Sequence, residues 1–233
     1  MTISEMHTQF KVLVDKVDSF NSANLLPEEI DMFLQNGYEE FIETRMSGLN
    51  THNKGFEETQ KRMDDLKGLI SPFSSTTFNQ TQDSLKNGYF VTLPVDYRHS
   101  VLEALDVECI IPNGGVGDRQ IEVIPITHGK FNRLLQNPFT KPDKYKAYRI
   151  SYGNTHELIL DATLTPTNYV MRYIRKPITI DLAQIKGGVD GTGSIDLDES
   201  THREIVSNAV RMALEDIMSP RTQTYNIENK ILE

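Results

Sequence analysis

The sequence predicts an α+β protein with helices at both ends of the chain and a β-rich segment between them. Three observations predict it. Apolar residues recur at three- and four-residue spacing in the first seventy residues and again after residue 199. The middle changes to short runs of aromatic and β-branched residues set apart by Gly, Pro and Asn clusters. The charge divides at the same places: residues 1–70 carry a net −6, residues 71–180 a net +2 and residues 181–233 a net −5. The expected organisation is a helical bundle from residues 1–70 plus 199–219, an inserted antiparallel β-rich domain over residues 71–198, and an extended C-terminal arm over residues 220–233.

The first helix is expected after Thr2-x-x-Glu5, a capping-box pattern. Met6, Phe10, Leu13, Val14, Val17 and Phe20 then fall on one stripe. The run Asn21–Asn24 breaks it. The second helix starts at Pro27, a residue suited to a first helical position, with Glu28 and Glu29 at the positive end of the helix dipole. Its stripe is Ile30, Phe33, Leu34, Tyr38, Phe41 and Ile42. A third helix is expected over residues 55–70, with Phe56, Met63, Leu66 and Ile70 inward and Pro72 as its stop. Short connections favour antiparallel packing of these helices.

Strands are expected at Tyr89–Leu93, Val107–Ile111, Ile121–Ile126, Tyr148–Tyr152, Glu157–Leu160 and Tyr169–Ile174, with one short helix near His128–Gln136. Asp181–Asp198 reads as a loop or hairpin containing four glycines. The last helix begins at a second capping-box pattern, Thr201-x-x-Glu204, with Ser200 as an alternative cap. Ile205, Ala209, Met212, Ala213 and Ile217 form its stripe, and Val206, Val210 and Leu214 widen it. That breadth predicts contact on two sides, so Val206, Val210 and Leu214 are the candidate inter-subunit face. Pro220 ends the helix.

Composition excludes several classes. The chain has 233 residues, 38% hydrophobic and 24% charged, with mean hydropathy −0.42, an ordinary soluble composition. No run approaches the roughly 18 consecutive apolar residues of a membrane helix. The opening MTISEMHTQF has neither the basic nor the apolar region of a secretory signal, so none is expected. The single cysteine, Cys109, allows no internal disulfide and suits a reducing compartment. A net charge of −9 argues against a dedicated nucleic-acid binder, which needs a basic footprint.

No motif carries catalysis. Lys186–Ser194 is glycine-rich but lacks the Gly-Lys-Ser/Thr ending of a phosphate loop, and it reads as a plain flexible loop. Asp190, Asp196, Asp198 and Glu199 do not match an EF-hand spacing, and they read as a solvated acidic turn with helix N-terminal charge. Asn113–Asp118 reads as a turn. Asp96, Tyr97, Arg98 and His99 are adjacent residues with no nucleophile motif beside them. Cys109 alternates within an apolar segment and reads as a core thiol. Arg172, Arg175 and Lys176 are the densest basic cluster and fit either DNA or an ion-pairing strand edge. No catalytic, cofactor-binding or metal residues are therefore assigned, and no metal or organic cofactor is expected.

Beyond Pro220, Tyr225, Ile227 and Ile231 alternate along one side, with Leu232 beside them. Four apolar groups over thirteen residues cannot form a core against an ordering cost of about 1–2 kcal/mol per residue. This arm is expected to dock on a neighbouring chain.

Two segment pairs resemble a known family. The first is LLPEEIDMFLQNGYEEFIETRM with FEETQKRMDDLKGLI, at residues 25–46 and 56–70. The second is YVMRYIRKPITIDL with ESTHREIVSNAVRMALEDI, at residues 169–182 and 199–217. Together they resemble virion structural proteins of crAss-like tailed bacteriophages that form head–tail connector or tail ring layers. The resemblance implies a non-enzymatic, ring-forming adaptor, twelve copies on a portal protein, next to other tail ring proteins. It further implies a place in the virion after synthesis in the host cytoplasm, a DNA conduit without specific DNA binding, and no membrane partner. A hub or nozzle layer is the alternative, and a metal-dependent hydrolase or nuclease a remote one.

Overall fold

The computed structural model describes residues 1–17, 25–47, 59–79, 88–110, 116–183 and 187–216. Contacts divide the chain into two compact units: residues 1–69 with 177–233, and residues 70–176. The helices are α1 (Ile3–Val17), α2 (Pro27–Met46), α3 (Gln60–Leu66), α4 (Phe131–Gln136) and α5 (Glu199–Asp216). The strands are β1 (Ile70–Ser75), β2 (Gly88–Thr92), β3 (Tyr97–Ile110), β4 (Val116–Pro125), β5 (Lys146–Tyr152), β6 (Thr155–Ile159) and β7 (Leu164–Arg175). The chain is a mixed α+β protein.

In the helical unit the first capping box forms: Thr2 N–H donates to Glu5 Oε2 at 2.9 Å and Glu5 N–H to Thr2 Oγ1 at 3.3 Å. The next two orphan amides of α1, Ile3 and Ser4, donate to Gly193 O (2.9 Å) and Gly191 O (3.1 Å). The glycine-rich segment is therefore part of the packing rather than a free loop. Gly188 shows the constraint, since a Cβ there would lie 2.3 Å from Thr179 O. Residues 177–198 accordingly belong with the helices, not with the β-rich insert expected for 71–198. Ile180 N–H donates to Gln35 Oε1 (3.0 Å) and Leu182 N–H to Asp31 Oδ2 (3.1 Å), both on α2. The other Asp31 oxygen lies 2.7 Å from His7 Nε2 on α1, buried between the two helices.

α5 starts earlier than its sequence pattern predicts. Asp198 Oδ1 accepts the Ser200 N–H at 3.0 Å, which holds the Asp198 carboxyl below the usual carboxylate range. Glu204, expected in a second capping box, turns instead to Arg45 of α2. The Arg45 guanidinium meets Glu204 Oε1 and Oε2 (2.7 and 2.8 Å) and Asp65 Oδ2 of α3 (3.0 Å), so one buried cation ties three helices. Burial pushes the Glu204 carboxyl up against the pull of Arg45. α2 and α5 meet most closely at Gly37, where a Cβ would sit 2.8 Å from both Ala209 N and Ile205 O.

The sheet order is β1-β7-β3-β4-β5-β6-β2. It is not purely antiparallel as expected: β4 and β5 pair in parallel from Glu122↔Lys146 to Pro125↔Arg149. The twenty-residue connection between them, which contains α4, is long enough for the return that parallel pairing requires. β1 replaces the expected end of the third helix. Pro72 does not stop a helix but sits in an edge strand, where a missing N–H is tolerated.

The sheet curls. β6 lies four places from β7 in the order, which on a flat sheet is about 19 Å. Yet His156 Nδ1 of β6 lies 3.1 Å from the Tyr169 hydroxyl of β7. Three register shifts along the β3–β7 pairing supply the bend. Leu105, Val107, Ile121, Val123, Leu158 and Met171 pack inside the curl. Tyr148, Ile150 and Ile159 face the other way, against Phe131 of α4.

Candidate assembly surfaces

α5 has the wide apolar stripe its sequence predicts, but both sides are used within the chain. It packs on α1 and on α2, and Val206, Val210 and Leu214 are fully buried. That burial removes them from the inter-subunit face proposed for them. Two packed neighbours require a broad stripe, and here both neighbours are intramolecular. Glu199, Ser200, Arg203, Glu215 and Asp216 are what α5 exposes, and Arg211 pairs with Glu40 of α2 and with Glu215. Tyr225, Ile227, Ile231 and Leu232 lie outside the described residues.

α2 turns one face outward. The exposed Glu29, Met32, Asn36 and Glu43 and the half-buried Glu39 follow each other at three- and four-residue steps, opposite the buried Ile30, Leu34, Gly37 and Phe41. Glu29 also accepts the Leu26 N–H at 2.8 Å, the carboxylate half of a capping box.

The curl of the β unit holds a polar network. Arg149 Nη2 and Nε donate to Glu103 Oε1 and Oε2 at 2.6 and 3.0 Å. Arg149 also donates to Ser151 Oγ (2.6 Å) and Ser100 Oγ (3.0 Å). The Tyr169 hydroxyl donates to Glu103 Oε2 at 2.9 Å. Because that proton is committed, His156 Nδ1 must be the donor toward Tyr169, which leaves Nε2 bare. Nε2 is buried with no hydrogen-bond partner, and the Tyr97 ring meets the imidazole edge-on at 5.3 Å. A proton on Nε2 would be buried, unpaired and near the Arg149 charge. Burial first, then Arg149, lowers the His156 pKa from 6.5 to about 4. Burial and the Glu103 charge push the Tyr169 phenol well up. The bonds among Arg149, Glu103, Tyr169, Ser100 and Ser151 tie β3, β5 and β7 of the curl together.

The network has a pH consequence. The unfolded chain takes up the His156 proton near pH 6.5, but the folded chain refuses it until about pH 4. The stabilisation is therefore whole above pH 6.5 and is lost as pH falls toward 4, at about 1.4 kcal/mol per pH unit from this group. Urea unfolding between pH 7 and 4 should show that decline, and His156→Gln should flatten it. An unchanged slope in the variant would remove His156 as the cause.

The other candidates separate in space. Arg172 is exposed, and Arg175 falls on the opposite face of β7, so the two do not form one DNA-facing patch. Lys176 Nζ donates to Val95 O at 3.3 Å. Asp96 accepts from the Tyr173 hydroxyl at 2.9 Å, and Tyr97 packs beside His156 and Tyr173. Both are structural in this fold. Asp190 accepts from Thr192 N, Thr192 Oγ1 and Gly193 N at 2.7–3.1 Å, so its carboxylate closes its own turn. Cys109 is half-buried, 3.2 Å from Gly117 O. Among the described residues no group of His, Cys, Asp and Glu is arranged to hold a metal ion, and no helix is long and apolar enough to cross a membrane.

What the β unit does present is its β4–β5 connection. Phe139 and Tyr145 stand 90% and 70% exposed, among the most exposed large apolar side chains of the described residues. The connection is nonetheless shaped: Phe139 N–H donates to Asn137 Oδ1, Tyr145 N–H to Asp143 Oδ1, and the Tyr148 hydroxyl to Thr140 O.

Known proteins agree. The family described as phage tail ring protein 3/4 matches residues 1–227. The chain belongs to that family. Ring protein 4/5 of Bacteroides phage crAss001 is 29% identical over 229 residues, covering 91% of this chain and 92% of that protein. Ring protein 3 of the same phage is 26% identical over 227 residues, covering 92% and 95%. This ring protein is matched over both of its units rather than over one helix pattern. It is a structural protein of a crAss-like phage tail, and its resemblance at residues 25–70 and 169–217 reflects that membership.

Proposed function

We propose that this tail ring protein is a head-to-tail adaptor subunit. Copies of it, twelve by the family resemblance, close into a ring attached to the portal protein and wall part of the DNA conduit. It is non-enzymatic, and DNA passes it without specific binding. The observation that carries this reading is the division of charge. Residues 1–69 and 177–233 carry a net −11, while residues 70–176 carry +2. An acidic wall lacks the counterion-release gain that makes DNA adhere, so it suits a duct. The helices at both ends of the chain would make the bundle that lies against the portal. The arm residues Tyr225, Ile227, Ile231 and Leu232 would dock on the portal or on an adjacent copy.

A second reading keeps the ring and moves it to a hub or nozzle layer further down the tail. The names of both relatives, ring proteins 3 and 4/5, are compatible with it. Co-purification of the chain with portal protein decides between the readings. Stable binding that is lost on deleting residues 221–233 fits the adaptor. Binding to other tail ring proteins but not to the portal fits the lower layer.

A further inference from the structure

We propose that the β4–β5 connection of one copy docks on the outward stripe of α2 of the next copy in the ring. The proposal rests on the ring reading and names the contact that closes it.

The connection is the basic island of an acidic chain. Residues 126–145 carry four Lys and Arg against one acidic residue, a net +3 in a chain of −9. Phe139 and Tyr145 project from it at 90% and 70% exposure, with Lys141 and Lys144 exposed between them. The Arg119 guanidinium lies 4.8 Å over the Tyr145 ring and fixes its plane. The hydrogen bonds of Asn137 and Asp143 hold the backbone, so little ordering remains to be done on binding. An aromatic anchor flanked by lysines fits a partner with an apolar centre and carboxylates around it.

The α2 stripe has that chemistry. Met32 is exposed near its N-terminal end with Glu29 one turn before it, the half-buried Glu39 and the exposed Glu43 follow along the same side, and the exposed Leu26 stands at the N-cap. It belongs to the unit carrying −11. A ring needs a heterologous contact, in which one patch of a subunit meets a different patch of the next. This chain holds two patches that differ in sign and match in make-up. DNA would satisfy the lysines alone and leaves the acidic-apolar stripe without a role.

The test uses tails assembled with the full-length chain. Met32→Cys and Phe139→Cys in one chain should give, on mild oxidation, a ladder of covalent multiples of the chain, with neither single variant doing so. Lys141→Glu with Lys144→Glu should remove the chain from tails, and adding Glu39→Lys with Glu43→Lys should restore it. Circular dichroism of each purified variant confirms folding, and the cysteine pair tests the contact without charge reversal. Rings that form without the ladder and tolerate Lys141→Glu with Lys144→Glu would overturn the docking while leaving the ring reading intact. So would cross-links from Phe139→Cys to a different tail protein, or a lysine defect seen only as lost DNA contact. Absence of the unaltered chain from any tail ring would instead bring down the ring reading itself.

Discussion

Replacing Arg149 by methionine is expected to destabilise the β unit by about 3–5 kcal/mol, the cost of breaking a buried ion pair from one side. The partner left behind decides the size. The Glu103 side chain is 5% exposed, and Arg149 supplies both of its close cationic contacts. Without Arg149, the Tyr169 hydroxyl is the donor left to that carboxylate among the described residues. Ser100 and Ser151 lose a partner as well. A loss of that size is a large share of the roughly 5–15 kcal/mol that holds a typical domain. Methionine fills much of the arginine stem's volume, so the effect is charge rather than cavity. Pairing Arg149→Met with Glu103→Leu should recover most of the loss, because the uncompensated charge is gone. Chemical denaturation of the four proteins of this cycle measures it. A single variant within about 0.5 kcal/mol of the parent, the range of neutral surface changes, would show that the network does not hold the curl.

The second large effect is expected at Gly37. A Cβ there meets the Ala209 nitrogen and the Ile205 oxygen at 2.8 Å, and both are backbone atoms of α5 that cannot swing aside. Gly37→Ala should gain up to about 1 kcal/mol of helix propensity yet lose more by overpacking, typically about 1–3 kcal/mol. Gly37→Leu should force α2 and α5 apart. That separation would disturb Ile30, Leu34, Ala209 and Val210 together, and the Arg45–Glu204 pair with them. Loss of the cooperative thermal transition is the expected result for the leucine variant. Asn36→Ala, one residue away on the outward face, should change stability by less than about 0.5 kcal/mol. Equal behaviour of the two positions would mean that the helix crossing is looser than its geometry.

These two sites mark where the sequence is readable and where it is not. α1, α2 and α5 are legible because burial of one helix face writes itself as a stripe at 3.6-residue period. The same stripe cannot say which chain covers it, and so Val206, Val210 and Leu214 read as a subunit face when α1 and α2 cover them. β1 is hidden because Pro72 and three serines look like a helix stop and a loop. The first ten residues of β3 are hidden because the charged Glu103 takes an inward place beside Leu105 and interrupts the apolar alternation. Glu103 belongs inside only once Arg149, 46 residues later, is brought beside it by the curl. No local pattern encodes a contact made by curvature. The parallel β4–β5 pair is unreadable for a related reason, since strand direction depends on the path of the connection and not on the strands.

The central claim is that this chain is a ring subunit of the phage tail. Electron cryo-microscopy of purified virions tests it most directly. The chain should fit a closed layer of identical, symmetry-related subunits in the tail, with the helical and β units both accounted for in the density. A tail in which the chain occurs as a single copy, or no layer that its fold fits, would contradict it.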